Sequence, residues 1–433
     1  MDELKLVKKL RQSGARLPPR VVERKIMREI IPWMRRDEII VITGARQTGK
    51  SVLLYQLIYD YLIKKSKNIH YFNLDIPGHL DFLNHYDNII DLISSSKAKS
   101  YLFIDEIQRI KEPGLFLKGI YDLHLPVKIV VSGSSALELK SKVHEALTGR
   151  KIIFHIDPFT FEELSQAIYP KMRFEDVLKE DRYFENILRH FLIYGSYPAV
   201  SMAKKKETKL KLLGEIFHSY LEKDVKGYLR VEKEDTFMNL IRILSSQIGQ
   251  IMNKDELSNR LDIHKNTLEN YLYYLEQTFV LDFVRPFFRN KRKELLKNPK
   301  VYFRDLGLRN YAIGNFGTGE FHSDYGALFE NGVYLSLKTK IGPMNRIHFW
   351  RTKAKSEIDF VVPVGLTPIA CEVKSTPLKT FKAGKSLVSF INSYKPPIVY
   401  YLNQSLRGKR TIDQTEIRYL TPKEFIQMKD YGV

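Results

Sequence analysis

The chain has 433 residues, 44% hydrophobic and 28% charged, which is long enough for two or three domains with their own cores and too apolar for a disordered protein. Lys plus Arg number 70 against 50 Asp plus Glu, a formal net charge of +20, which favours a polyanionic partner: nucleic acid first, an anionic membrane surface second. No apolar run is long enough for an integral membrane segment, the amino terminus lacks a signal-peptide core, and the single cysteine, Cys371, excludes an internal disulfide, so a cytoplasmic protein is expected.

The first third alternates continuous apolar runs with helical stretches. The runs "EIIVITG", "NIHYFNLD", "SYLFIDE", "VKIVVSGSS" and "RKIIFHIDP" are rich in β-branched residues and predict strands buried on both faces of a parallel α/β sheet. Between the first strand and the helix "KSVLLYQLIYDYLIKK" lies "GARQTGKS", which fits G-x-x-x-x-G-K-[ST]. Gly44, Ala45, Arg46, Gln47, Thr48 and Gly49 would present backbone N–H groups to phosphates, Lys50 would reach the β- and γ-phosphates, and Ser51 would ligate Mg²⁺.

In "YLFIDEIQ", Asp105 ends an apolar strand, where a carboxylate can hold the Mg²⁺ shell, and Glu106 follows as the group that polarises water. Ser132, or Ser134 beside it, is a candidate γ-phosphate sensor, and Arg150 in "LTGRK" a candidate arginine finger acting within its own subunit or on a neighbour. In this order, "ITGARQTGKS", "LFIDEIQ", "SGSS" and "LTGR" resemble the AAA-type ATPases of archaea and bacteria over about residues 21–157. The resemblance implies an ATP-hydrolysing core on a five-stranded parallel sheet, with ATP and Mg²⁺ as ligands and a homo-oligomer as a possible assembly.

Amphipathic helices then run from about Phe161 to Arg230 and read as a helical lid or connector. Next, Asn253 caps a helix bearing Leu257 and Leu261, a tight turn passes Asp262 to His264, and a second helix sets Leu268, Tyr271, Leu272 and Leu275 on one stripe. With the extended "FVLDFVRPFF" after them, these elements describe a winged helix-turn-helix. Lys265, Asn266, Thr267 and Asn270 at the start of the second helix, and Arg289, Lys291, Arg292 and Lys293 after it, are the candidate nucleic-acid contacts, with DNA favoured over RNA.

Beyond the basic run, "EIDFVV" and "ACEVK" alternate acids with apolar residues, and a turn through "PVGLTP" pairs them as a hairpin with Asp359 beside Glu372. Glu372 and Lys374 are expected on one face, and Asp359 opposite Ile358 and Phe360. Two carboxylates there would bind Mg²⁺ or Mn²⁺, Lys374 would stabilise charge on a phosphodiester, and Glu330, near a helical apolar stripe, needs a partner. Glu330, Asp359 and Glu372-Val-Lys374 resemble the PD-(D/E)xK nuclease superfamily, and the order of motifs also resembles a domain of unassigned function appended to such ATPases.

The expected organisation is an ATPase core over residues 1–160, a connector over 161–235, a winged helix over 236–290 and an α/β nuclease-like domain over 291–433. Two functions are open: an ATPase acting on nucleic acid with a cutting C-terminal domain, or a nucleotide-switched binding module whose nuclease-like domain does not cut.

Overall fold

The computed structural model describes residues 3–95, 98–133, 146–226, 233–288, 297–316, 324–342, 344–365, 367–428 and 431. The chain divides into two compact units, Met1–Phe159 with Gln277–Phe279, and Thr160–Glu276 with Val280–Val433.

The first unit is built on five strands, β1 (Ile39–Gly44), β2 (Ile69–Asn73), β3 (Ser100–Asp105), β4 (Val127–Gly133) and β5 (Lys151–Ile156), each at one of the predicted apolar runs. All pair in parallel in the order β2-β3-β4-β1-β5. Side-chain alternation serves both faces. Ile40 and Ile42 pack with Leu53 and Leu57, whereas Ile39 and Val41 pack with Ile89 and Leu117. Helices α1 (Glu3–Gln12) and α2 (Lys50–Gln56) cover the first face, while α3 (Tyr86–Ser94) and α4 (Pro113–Asp122) cover the second. Because every strand runs the same way, the ends of β1, β3 and β4 lie along one edge of the sheet, where ligands of open α/β sheets bind.

The second unit opens with helices α5 (Phe161–Ile168), α6 (Asp181–Tyr194) and α7 (Lys206–Ser219). Then come α8 (Glu234–Ser246), α9 (Lys254–Leu261), α10 (Lys265–Gln277) and an antiparallel pair, β6 (Leu281–Val284) with β7 (Lys300–Phe303). Asn253 starts α9 by accepting from the N–H groups of Asp255 and Glu256 at 3.1 and 3.3 Å, and Asp262, at φ 50°, makes the left-handed turn before α10.

After α11 (Leu306–Ala312) and α12 (Tyr325–Lys338), the chain forms β8 (His348–Arg351), β9 (Glu357–Val364), β10 (Thr367–Val373), α13 (Lys385–Tyr394), β11 (Ile398–Leu402), β12 (Gly408–Ile412), β13 (Thr415–Leu420) and α14 (Pro422–Gln427). The sheet order is β12-β13-β11-β10-β9-β8, with β10-β11 and β11-β13 parallel and the rest antiparallel.

One local expectation fails here. Ile358 and Phe360 do not share a face: Ile358 packs with Ala370 and Phe390, Phe360 with Cys371 and Tyr302. The β8/β9 register shifts between His348↔Val361 and Trp350↔Ile358, a bulge that breaks strict alternation at Asp359 and re-aims it.

Candidate functional site

The loop from Gly44 to Lys50 turns sharply between β1 and α2. Gly44 sits so close to β5 that a Cβ would lie 2.2 Å from the Ile156 carbonyl, and Gly49 takes φ 97°, so glycine is required at both positions. Gln47 also adopts a left-handed φ of 60°. Thr48 is buried and its hydroxyl donates to the Ala45 carbonyl at 2.8 Å. Lys50, also buried, donates from Nζ to the carbonyls of Gly44 and Ala45 at 2.9 and 2.8 Å. Ser51 follows in the first turn of α2, while Arg46 is half-buried and Gln47 exposed. Sequence reasoning missed Arg24, a buried side chain ahead of β1 that clamps the loop. It donates to the Thr48 carbonyl at 2.7 Å and the Asp157 carbonyl at 2.8 Å, with its guanidinium 5.1 Å from the Phe159 ring centre.

Asp105 closes β3 with 1% of its surface exposed. One carboxylate oxygen accepts from the Tyr71 hydroxyl at 2.9 Å and the other from the Ser132 hydroxyl of β4. Ser132 is therefore placed on the Asp105 carboxylate, while Ser134 lies outside the described residues. Tyr71 was not foreseen. Burial and then the Asp105 charge push its phenol far above the ordinary value, so it stays a donor. Glu106 takes φ 59° at the strand end and accepts from Gln108.

Arg150 does not reach this edge in its own chain. It precedes β5, where Ile39 pairs with Lys151, and so lies at the opposite end of strands whose far end is Gly44↔Ile156, about 20 Å away at roughly 3.3 Å per residue. There its side chain pairs with Asp122 at 3.1 Å.

The second cluster lies wholly in the second unit. The β9–β10 hairpin pairs Phe360 with Cys371, and the Val373 N–H donates to Asp359 Oδ2 at 2.8 Å. Lys374 Nζ sits 2.6 Å from Glu372 Oε1, and Glu372 Oε2 is buried without a hydrogen-bond partner among the described residues. Glu330, on α12, accepts from the Tyr302 hydroxyl at 2.5 Å.

Two charged residues absent from the expectation complete the cluster. Lys300 of β7, its side chain 3% exposed, places Nζ 2.7 Å from Glu357, 3.3 Å from Glu330 and 3.9 Å from Asp359. Glu357 also pairs with Arg351 at 3.2 Å. The visible signal was "KVYF", whose alternation sets Lys300 and Tyr302 on one face of a short strand, but nothing local says that this face meets Glu330.

Burial opposes the charge of Lys300, yet Glu330, Asp359 and Glu357 outweigh it and raise its pKa. Burial, then the Asp359 charge, raises the carboxyl pKa of both Glu330 and Glu372. The arrangement does not fit the divalent metal expected between Asp359 and Glu372, because Asp359 already faces the Lys300 ammonium and Glu372 that of Lys374. Among the described residues, no group of three or more His, Cys, Asp or Glu is set to hold a metal ion.

On α10, Lys265, Asn266 and Asn270 are exposed and Thr267 half-buried, and Lys265 pairs with Asp255 at 2.6 Å. Arg289, Lys291, Arg292 and Lys293 lie outside the described residues. No helix among the described residues is long and apolar enough to cross a membrane.

Residues 36–165 match the AAA domain family, residues 185–318 a domain of unknown function (DUF8612) and residues 325–421 another (DUF4143). The AAA match thus falls on the unit that holds the Gly44–Ser51 loop and Asp105. It is 29% identical over 324 residues to an uncharacterized protein of Haemophilus influenzae, covering 72% of this chain and 77% of that one. An uncharacterized protein of Methanocaldococcus jannaschii is 23% identical over 370 residues, covering 84% and 77%. Among solved structures, the ADP form of the ORC2 protein of Aeropyrum pernix aligns over 62% of this chain and 89% of its own at 12% identity, with a TM-score of 0.34, too loose a likeness to carry an argument.

Proposed function

We propose that this protein binds and hydrolyses ATP at the Gly44–Ser51 loop and uses the nucleotide state to switch a nucleic-acid-associated second unit. The observation that carries the first half is the Asp105 carboxylate, fixed by Tyr71 and Ser132 at the same sheet edge as the loop.

Ser51 and Asp105 are the residues that would hold Mg²⁺, which when bound neutralises charge on the β- and γ-phosphates. Lys50, released from its two loop carbonyls, reaches the β- and γ-phosphates, and the loop N–H groups with the start of α2 bind them. Glu106 orients and deprotonates the attacking water. Ser132 keeps Asp105 in one rotamer and, at the end of β4, is the residue that would sense the γ-phosphate.

In this reading α8, α9, α10 and the β6–β7 pair form a winged helix. Exposed Lys265, Asn266 and Asn270 and the +20 net charge favour DNA as its ligand. The elements carrying Glu330, Asp359, Glu372 and Lys374 form a nuclease-like fold. With Lys300 among its carboxylates, this fold binds without cutting, which favours the non-cutting function over the cutting one.

Phosphate release and nucleotide binding test the first half. Lys50→Ala should lose both, whereas Glu106→Gln should keep binding and lose turnover by about 10²- to 10³-fold. Full turnover by both variants removes the site. Salt-dependent DNA binding without Mg²⁺- or Mn²⁺-dependent nicking by the wild type is expected, and nicking lost in Asp359→Ala restores the cutting function.

A further inference from the structure

Gln277–Phe279 belong to the first compact unit, although the chain on both sides of them belongs to the second. The segment ends α10 in a left-handed turn: the Val280 N–H donates to the Leu275 carbonyl at 3.0 Å, and Phe279, at φ 65°, makes the turn. Helices that end in this way usually place glycine there, because a Cβ at positive φ crowds the following carbonyl. A phenylalanine in that place is strained, and its side-chain contacts are what hold it.

Those contacts are with the phosphate loop and the strand beside it. Phe279 is buried and packs with Ala45 of the loop. Its ring centre lies 4.0 Å from that of His155, the partner of Thr43 at the loop end of β5. His155 Nε2 in turn lies 3.1 Å from Asp157 Oδ1, and Arg24 joins the Asp157 carbonyl to that of Thr48. The Ala45 carbonyl accepts from Lys50 Nζ and from the Thr48 hydroxyl, both at 2.8 Å. In the proposed function Lys50 leaves that carbonyl for a phosphate, so the residue whose surroundings change is the one on which Phe279 rests.

We infer that Phe279 is a positioning residue of the nucleotide site, an aromatic strut on Ala45 through which occupancy of the phosphate loop reaches the end of α10. The inference rests on the ATP-binding reading above and names the route by which nucleotide state regulates the second unit. The peptide chain itself completes the route, since Phe279 is joined to α10 before it and to β6 after it.

Hydrogen exchange of the full chain, with and without adenylyl imidodiphosphate and Mg²⁺, tests this alongside calorimetric binding of the same analogue. In the wild type the analogue should change the exchange of residues 275–281 by at least about fivefold, the lower end of coupling between sites. Phe279→Gly suits the left-handed turn better, and Phe279→Ala keeps its strain. Both lack the ring, so both should bind the analogue and lose the change.

A wild-type change below fivefold overturns the inference whatever the variants do. Retention of the change by either folded variant overturns it as well and leaves Phe279 a packing residue only; if one variant does not fold, the other decides. A folded variant that no longer binds the analogue makes Phe279 part of the loop's scaffold, which overturns its role as a route. Absence of Lys50-dependent binding by the wild type would remove the ATPase reading and the inference with it, whereas Lys50-dependent binding with residues 275–281 unmoved would remove the inference alone.

Discussion

Both candidate sites bury a lysine ammonium, and they satisfy it in opposite ways. Lys50 rests on two backbone carbonyls of its own loop, five and six residues away, whereas Lys300 rests on the side chains of Glu330, Glu357 and Asp359, thirty or more residues away. The first arrangement includes neutral acceptors, the kind of partner a phosphate can outcompete. The second uses formal charges in a poorly hydrated place, so its lysine is held until the charges are answered otherwise. In the proposed function, the first site receives an anion, whereas the second already holds a cation.

The largest expected effect follows from that contrast. Lys300→Met leaves carboxylates buried without their counter-charge and should destabilise the β9–β10 hairpin by about 3–5 kcal/mol, the scale for breaking a buried ion pair from one side. Lys50→Ala removes two hydrogen bonds to loop carbonyls and should cost less, about 1–2 kcal/mol. Segment-resolved hydrogen exchange in urea reads the two units separately, which a single melting curve of a two-unit chain does not. Lys300→Met/Glu330→Gln should recover part of the loss, and a double variant no more stable than the single one would break the charge-compensation argument.

Acid should move β2 and the β9–β10 hairpin in opposite directions. His70 in β2 is pushed down to about 4, first by burial and then by Lys9, so the unfolded chain takes up a proton before the native sheet does. Its contribution is complete above about 6.5 and is lost as pH falls toward 4, roughly 3 kcal/mol in all. Glu330 and Glu372 are raised from 4.5, so the native cluster holds protons that the unfolded chain has released. Their contribution is complete below about 4.5 and fades as pH rises above it. Exchange protection between pH 4.5 and 7 should therefore rise with pH in β2 and its neighbours and fall in β9 and β10. His70→Asn should flatten only the first slope.

The same contrast explains what the sequence made legible. The phosphate loop is a local object: its glycines answer backbone demands at Gly44 and Gly49, and the apolar runs around it fold as strands because both faces are buried. Asp105 was readable as a strand-end acid, but Tyr71 and Arg24, which hold Asp105 and the loop, act from 34 and 24 residues away and carry no motif. In the second unit, alternation placed Glu372 with Lys374, whereas the bulge at β9 and the arrival of Lys300 depend on pairings that no local pattern encodes. Arg150 lies at the far end of β5 from the loop in its own chain, which "LTGR" could not reveal because it fixes sequence position and says nothing of which end of a strand it occupies.

The smallest expected effect probes how tightly the first site is held. Tyr71 Oη donates to Asp105 Oδ2 at 2.9 Å and lies 3.2 Å from the Tyr55 hydroxyl, and the two rings meet edge-on at 5.4 Å between centres. Tyr71→Phe keeps the ring contact and removes one donor from a carboxylate that retains Ser132 on its other oxygen. Losing one hydrogen bond to a charged group, with a second still in place, should lower kcat by about five- to tenfold, equivalent to about 1–1.4 kcal/mol. KM for ATP should change little, because Lys50 and the loop N–H groups are untouched. Ser132→Ala should act in the same direction, and the double variant should lose more than the product of the singles, since each donor limits the freedom left by the other's removal. A Tyr71→Phe enzyme with unaltered kcat would mean that burial alone fixes Asp105, and a rise in KM without loss of kcat would place Tyr71 in nucleotide binding.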